Sequence, residues 1–199
     1  MPELGEEAAG ELGQCLFIQD QLAVMPFHFG ALLESYRYRE LHFINVAQGE
    51  FAPKVTVEEF LAFPFKRVPE QDLMFVNFPR AWPAAKKITK YFMSSDDLEL
   101  ACGEAHPVRL DVCVLGGTGP KYTPMRTVMQ ANRVHVLPER VVGPHTYRNV
   151  LSYAMPTAKG MCGAPLMMSE LTHFHGKPML GIHIAGNVGF VLSAMAQLV

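Results

Sequence analysis

Charge is scarce in this chain. Of its 199 residues only 18% are Asp, Glu, Lys or Arg, while 49% are hydrophobic; an average soluble protein carries roughly 25% charged residues. A disordered or solvating segment has the opposite balance, so this chain folds around buried apolar surface. Neither sign of charge is in excess: 17 Lys and Arg stand against 19 Asp and Glu, for a net charge of -2. There is thus no bulk electrostatic case for a dedicated nucleic-acid or anionic-membrane binder, and any such binding has to come from a local patch. Cysteine is sparse, and Cys15, Cys102, Cys113 and Cys162 match no zinc-ribbon or CxxC spacing. Free thiols in a reducing compartment fit best. No basic stretch and apolar segment follow Met1, so no secretory signal is read and an intracellular setting is expected. Long hydrophobic runs are missing as well. The most apolar window, 179–199, is broken by His183, Asn187, Ser193, Gln197 and three glycines; buried strands explain it better than a membrane span. Internal repeats and low-complexity tracts are absent.

Turn chemistry, by contrast, is abundant. The 16 Gly and 15 Pro exceed the roughly 12% expected of the two together and favour many turns and short strands over long helices. The fold class expected is all-β. Short apolar runs at 15–18, 22–25, 41–46 and 73–76 read as strands of a first barrel. Runs at 108–115, 134–137, 150–155, 165–168, 179–184 and 189–192 read as a second set. Ser94, Ser95, Asp96 and Asp97 interrupt the pattern between them, which sets the expected boundaries at 1–95, a connection at 96–107, and 108–199. Helix is expected only in short pieces, at 3–12 and 57–63 with a helical turn at 30–38. The cluster Gly116-Gly117-Thr118-Gly119-Pro120 is read as a tight turn, because no helix N-terminus follows to make it a phosphate cradle.

The strongest chemical signal is Gly160-Met161-Cys162-Gly163-Ala164-Pro165. A cysteine flanked by glycines on a tight loop presents its thiol and leaves backbone N–H groups free to converge, as a nucleophile with an oxyanion hole requires. The alternative is a small buried residue in a Gly-rich turn. His28, just past an apolar strand and 134 residues upstream of Cys162, is placed to act as general base if the fold brings it beside the thiol. Asp72, at the head of the run Leu73-Met74-Phe75-Val76, is the preferred acid to fix the imidazole tautomer, with Glu70 the alternative. In Gly181-Ile182-His183-Ile184-Ala185-Gly186, alternation sets His183 on one face and the isoleucines on the other. It is either a core histidine bonded to a tyrosine or carbonyl, or a neutral pocket donor to a substrate amide. His173-Phe174-His175 places two imidazoles on one strand face; a zinc site would need ligands taken from the other candidates, so a surface hairpin is preferred and no metal is expected.

His28, Asp72 and Cys162 follow the order His, acid, nucleophile of the chymotrypsin triad, with G-x-C-G-x-P where that fold carries G-x-S-G-x-P. Thr157 stands five residues before Cys162, and a G-x-H-x-x-G strand sets His183 21 residues after it. In these motifs the chain resembles the 3C and 3C-like cysteine proteases of picornaviruses and picorna-like viruses over nearly its whole length. The segments 72–79 and 88–92 are closer to the insect-infecting members. The resemblance implies two antiparallel six-stranded β-barrels with a short N-terminal helix, no cofactor, and a polyprotein-processing endopeptidase in the host cell cytoplasm. Its substrate would be a viral polyprotein cut after glutamine, with Thr157 and His183 holding the glutamine side chain. The N–H groups of Gly160, Met161 and Cys162 would form the oxyanion hole. The resemblance also implies viral RNA as a second partner. Arg80, Lys86, Lys87 and Lys90, interleaved with Trp82, Tyr91 and Phe92, are the candidate contacts, with a solvated loop as the other reading.

Overall fold

The computed structural model describes residues 13–35, 39–45, 50–103, 106–116, 123–131, 133–158, 160–169, 176–186 and 188–191. The expected helix at 3–12, residues 117–120 of the Gly-rich turn, the His173–His175 hairpin and Gln197 lie outside the described residues. In chain order the elements of the first half are β1 (Leu16–Gln19), β2 (Leu22–Pro26), α1 (His28–Glu34), β3 (Glu40–Asn45), β4 (Glu50–Thr56), α2 (Val57–Leu61), β5 (Phe65–Val68) and β6 (Leu73–Asn77). After α3 (Ser95–Gly103) come β7 (Val108–Gly116), β8 (Thr123–Ala131), β9 (Val134–Val142), β10 (His145–Tyr153), β11 (Pro165–Met168), β12 (Met179–Ala185) and β13 (Val188–Val191). The protein is mostly β. The first half holds a four-stranded sheet of order β1-β2-β6-β5 and a separate ribbon β3-β4; the second holds a seven-stranded sheet, β8-β7-β11-β12-β13-β10-β9.

Burial explains why β2 and β6 read as unbroken apolar runs rather than alternating ones. Ala23, Met25, Met74 and Val76 face a core shared with Phe60, Phe78 and Trp82 of the first half. Their neighbours Val24, Leu73 and Phe75 face the opposite way, into a core completed by Met179, Ile182, Ile184 and Val188 of the second half. Both faces of the sheet are therefore covered. A third core, including Leu110, Val112, Leu151, Leu166 and Leu180, belongs to the second half together with Leu98 and Ala101 of α3.

The stretch expected as a plain connection is thus largely helix. The serines and aspartates that interrupt the apolar pattern are a helix start: the Ser94 hydroxyl accepts from Asp97 N–H at 3.2 Å and donates to the Asp97 carboxylate at 2.6 Å, which is N-capping chemistry. Thr56 and Glu59 cap α2 reciprocally in the same manner. Three strands escaped the hydrophobic pattern, β4, β5 and β8, because Pro53, Lys66-Arg67 and Pro124-Met125-Arg126 break their apolar content. Pairing partners define them instead, β8 running antiparallel to β7 along the full length of both strands.

Segment 79–92 closes the exposed edge of β1. Asp20 and Ala85 exchange backbone bonds at 2.9 and 2.7 Å, and Ile88 N–H reaches Ile18 O at 2.9 Å. An edge covered this way cannot pair with another chain.

Candidate active site

β2 ends at Pro26, and His28 begins α1 after the single residue Phe27, its N-cap. Asp72 sits between a 3₁₀ turn at Pro69–Gln71 and β6, in the left-handed region at φ 53°. That conformation is rare for a side chain other than glycine, with aspartate among the residues that tolerate it, and here it turns the carboxylate toward His28. One oxygen accepts from the His28 backbone N–H at 2.9 Å and the other meets Nδ1 of the ring at 2.6 Å. The Asp72 carbonyl accepts from Phe27 N–H at 2.9 Å. Asp72 is only 3% exposed, so its charge has no solvent partner to compete with the imidazole. Glu70, on the 3₁₀ turn, is exposed and takes no part in this contact.

The Cys162 side chain is the second neighbour that acts on the His28 ring. Burial is the largest single influence on this imidazole and opposes its charge, but the bonds and charges of Asp72 and Cys162 together outweigh it and raise its pKa to about 9. Phe29 packs edge-on against the ring at 4.9 Å. Tyr147 lies in the inter-half core, where burial first, then the charges of Asp72 and Cys162, raise its hydroxyl to about 12.

The Cys162 loop is tied down peptide by peptide. Met161 N–H donates to Ala158 O at 3.3 Å, Ala164 N–H to Met161 O at 3.1 Å, and Gly163 N–H to His183 O at 2.7 Å. Of the three N–H groups expected to line an oxyanion hole, that of Met161 is already committed to Ala158; those of Gly160 and Cys162 carry no bond among the described residues. Gly160 adopts φ 92° and Gly163 φ 89°, values a side chain would strain.

His183 lies on β12, 1% exposed, and its N–H bonds Ala164 O at 2.8 Å. The Tyr153 hydroxyl is 2.6 Å from Nδ1, and the ring also bonds the Val188 backbone. Burial first, then the nearby charge of His28, lower its pKa to about 4 against the opposing Val188 bond. Burial likewise pushes the Tyr153 hydroxyl up, so it stays a proton donor. Tyr153 donating to Nδ1 assigns the ring proton to Nε2. Of the two alternatives for His183, the structure shows the core histidine bonded to a tyrosine. The Thr157 hydroxyl donates to Gly186 O at 2.5 Å, closing the loop before Cys162 onto the end of the same strand.

Arg80, Lys86, Lys87 and Lys90 are all exposed on segment 79–92. Their aromatic company is not: Trp82 and Phe92 belong to cores, and Tyr91, exposed, is covered by Lys90 with its Nζ 4.9 Å from the ring centre. No group of three or more His, Cys, Asp or Glu side chains is arranged to hold a metal ion among the described residues. No helix among them is long and apolar enough to cross a membrane.

Tyr153 and Gln14 are the site residues that sequence reasoning missed. Gln14 N–H donates to Cys162 O at 3.0 Å, and its side-chain Nε2 donates to Gly160 O at 3.1 Å. Neither residue carries a motif, and only the folded contacts reveal them.

A family model described as 3C cysteine protease (picornain 3C) matches residues 121–188, the part of the chain with Thr157, Cys162 and His183. No curated protein matches the sequence. Among solved structures, the MamO protease domain of Magnetospirillum magneticum aligns with TM-score 0.62 at 11% identity, covering 98% of this chain and 92% of that one. A mutant of tobacco etch virus protease aligns with TM-score 0.53 at 11% identity over 90% of this chain and 67% of its own. The active form of that enzyme, complexed with product, gives TM-score 0.53 at 12% identity over 89% and 67%. The fold is thus chymotrypsin-like, and residues 121–188 are similar to the 3C cysteine proteases.

Proposed function

We propose that the chain is a viral polyprotein-processing endopeptidase that cleaves after glutamine in the host cell cytoplasm, its two halves being the two barrels of the chymotrypsin design. Cys162 is the nucleophile. His28, whose raised pKa favours the proton, holds it beside the Cys162 sulfur as that sulfur attacks the scissile carbonyl, and Asp72 orients the ring and supports its charge. The N–H groups of Gly160 and Cys162 receive the developing oxyanion. His28 then protonates the leaving amine, a thioester remains on Cys162, and water activated by the same imidazole releases the carboxylic acid product.

One observation carries the glutamine preference. His183 is bonded through its backbone to Gly163 and Ala164, so a neutral donor and the nucleophile belong to one rigid unit. Nε2–H of His183 suits the side-chain carbonyl of glutamine, and Thr157, tied to Gly186 O, would line the same pocket. A glutamate would meet a neutral donor in place of a charged one, and an apolar side chain would offer that donor no acceptor to compete with the Val188 backbone. The test is a peptide panel varied at the residue before the cut. Cleavage after glutamine, abolished by Cys162→Ala, is expected; cleavage that survives Cys162→Ala overturns the mechanism, and equal cleavage after glutamine and leucine overturns the specificity.

A second reading, viral RNA binding through Arg80, Lys86, Lys87 and Lys90, is favoured by the exposure of all four cations. With Trp82 and Phe92 buried, such binding would rest on phosphate contacts and be strongly salt-dependent. Charge reversal of Lys86 and Lys87 is expected to weaken RNA retention at low salt and leave peptide cleavage intact; no retention at low salt by the unaltered protein ends this reading.

A further inference from the structure

We infer that Gln14 is a positioning residue for the oxyanion loop, an inference that rests on the protease reading above. The two peptide planes flanking the Met161–Cys162 peptide are each held at both ends. In the plane joining Gly160 to Met161, the carbonyl accepts from Gln14 Nε2 at 3.1 Å and the N–H donates to Ala158 O at 3.3 Å. In the plane joining Cys162 to Gly163, the carbonyl accepts from Gln14 N–H at 3.0 Å and the N–H donates to His183 O at 2.7 Å. Gln14 is thus the common partner of both carbonyls. Between these fixed planes lies the Cys162 N–H, and just before them the Gly160 N–H, the two groups left to meet an oxyanion. A peptide plane fixed at one end can rotate about its neighbours' dihedrals; fixed at both, it keeps its N–H and its successor's aimed.

Two glycines show how close this brace lies. A Cβ added at Gly163 would overlap the Gln14 carbonyl oxygen, and one at Gly13 would fall 2.7 Å from the Phe29 ring. Phe29 is the ring that packs edge-on against His28. Residues 13–14 therefore run between the helix that carries His28 and the loop that carries Cys162, touching both. The side chain of Gln14 adds the second anchor, which its backbone alone cannot supply.

The test separates loop geometry from thiol reactivity. Gln14→Met keeps the bulk and removes the donor; kcat for a glutamine peptide is expected to fall roughly tenfold, less than the 10²–10³ of deleting an oxyanion donor outright, with KM within about twofold. Affinity for a peptide aldehyde, which forms a tetrahedral oxyanion on Cys162, should fall by the same factor. Alkylation by iodoacetamide needs no oxyanion hole and should stay within about twofold of the unaltered protein. Gln14→Asn, whose amide is drawn back by one methylene, carries the same measurements if Gln14→Met does not fold. Unchanged kcat and aldehyde affinity, or alkylation falling in step with them, overturns the inference. Failure of the unaltered protein to cleave any peptide would instead overturn the protease reading.

Discussion

Two histidines a short way apart in this site are driven in opposite directions. His28 opens a short helix beside a buried carboxylate and a thiol, keeps part of its ring in solvent, and has its pKa raised to about 9. His183 lies within a strand, sealed from solvent between cores, meets a phenol and a carbonyl, and has its pKa lowered to about 4. Near neutral pH one favours a proton and the other refuses it. The same side chain is thereby biased toward the charged form in one place and held neutral in the other, as the two proposed tasks require, and the neighbours alone make the difference.

That contrast can be broken from either side. Asp72→Asn should have the largest effect, because an amide in the carboxylate's place favours the wrong imidazole tautomer; kcat is expected to drop by about 10⁴, with a lowered His28 pKa visible in the ring-proton titration. A fall of less than tenfold would mean that Asp72 only packs. His183→Ala should reduce kcat/KM for glutamine peptides by about 10²–10³ while sparing thiol alkylation, since it removes a substrate donor and not the nucleophile's base. A smaller loss, about tenfold, is expected of Tyr153→Phe, which frees Nδ1 to take the proton, and it should show as weaker discrimination between glutamine and glutamate peptides.

The smallest signal is in stability against pH. The raised His28 pKa contributes stability that is fully present below about 6.5 and disappears as pH rises through about 9. With the side chain 35% exposed, solvent screening reduces this to ~1–2 kcal/mol. The lowered His183 pKa acts the other way: the unfolded chain binds the proton first, so stability falls as pH drops from about 6.5 toward 4. Denaturant midpoints should therefore peak near neutrality, with the alkaline limb flattened in Asp72→Asn and the acid limb flattened in His183→Ala. A limb unchanged in its variant would detach that histidine from the pattern.

Much of this site was legible before folding. The glycines around Cys162, and Thr157 and His183 at fixed distances from it, are local chemistry, and local chemistry survives in sequence. Asp72 over Glu70 was a harder choice, because the Pro69–Gln71 turn and the left-handed Asp72 replace the strand parity that made the two equivalent. Gln14 was invisible, as its role consists of contacts 146 residues away along the chain. In the fold, β2, β6 and β12 announced themselves through burial of both faces, whereas β8, exposed along one side, is held by its ladder to β7 and offers little apolar pattern. α3 was misread for a different reason: Ser and Asp serve turns and helix caps alike, and only the burial of Leu98 and Ala101 decides between them.

The core shared by the two halves has a further consequence during synthesis. Ile18, Val24, Leu73 and Phe75 leave the ribosome early, but Met179, Ile182, Ile184 and Val188, which cover them, are made more than a hundred residues later. Until those strands arrive, the nascent first half carries an apolar face with nothing upon it, the condition under which partial chains aggregate or recruit chaperones. His28 and Asp72 are translated first yet wait for the last strands before Cys162 can be seated against them. The order of translation thus defers assembly of the His28–Asp72–Cys162 cluster until the second half's strands are made.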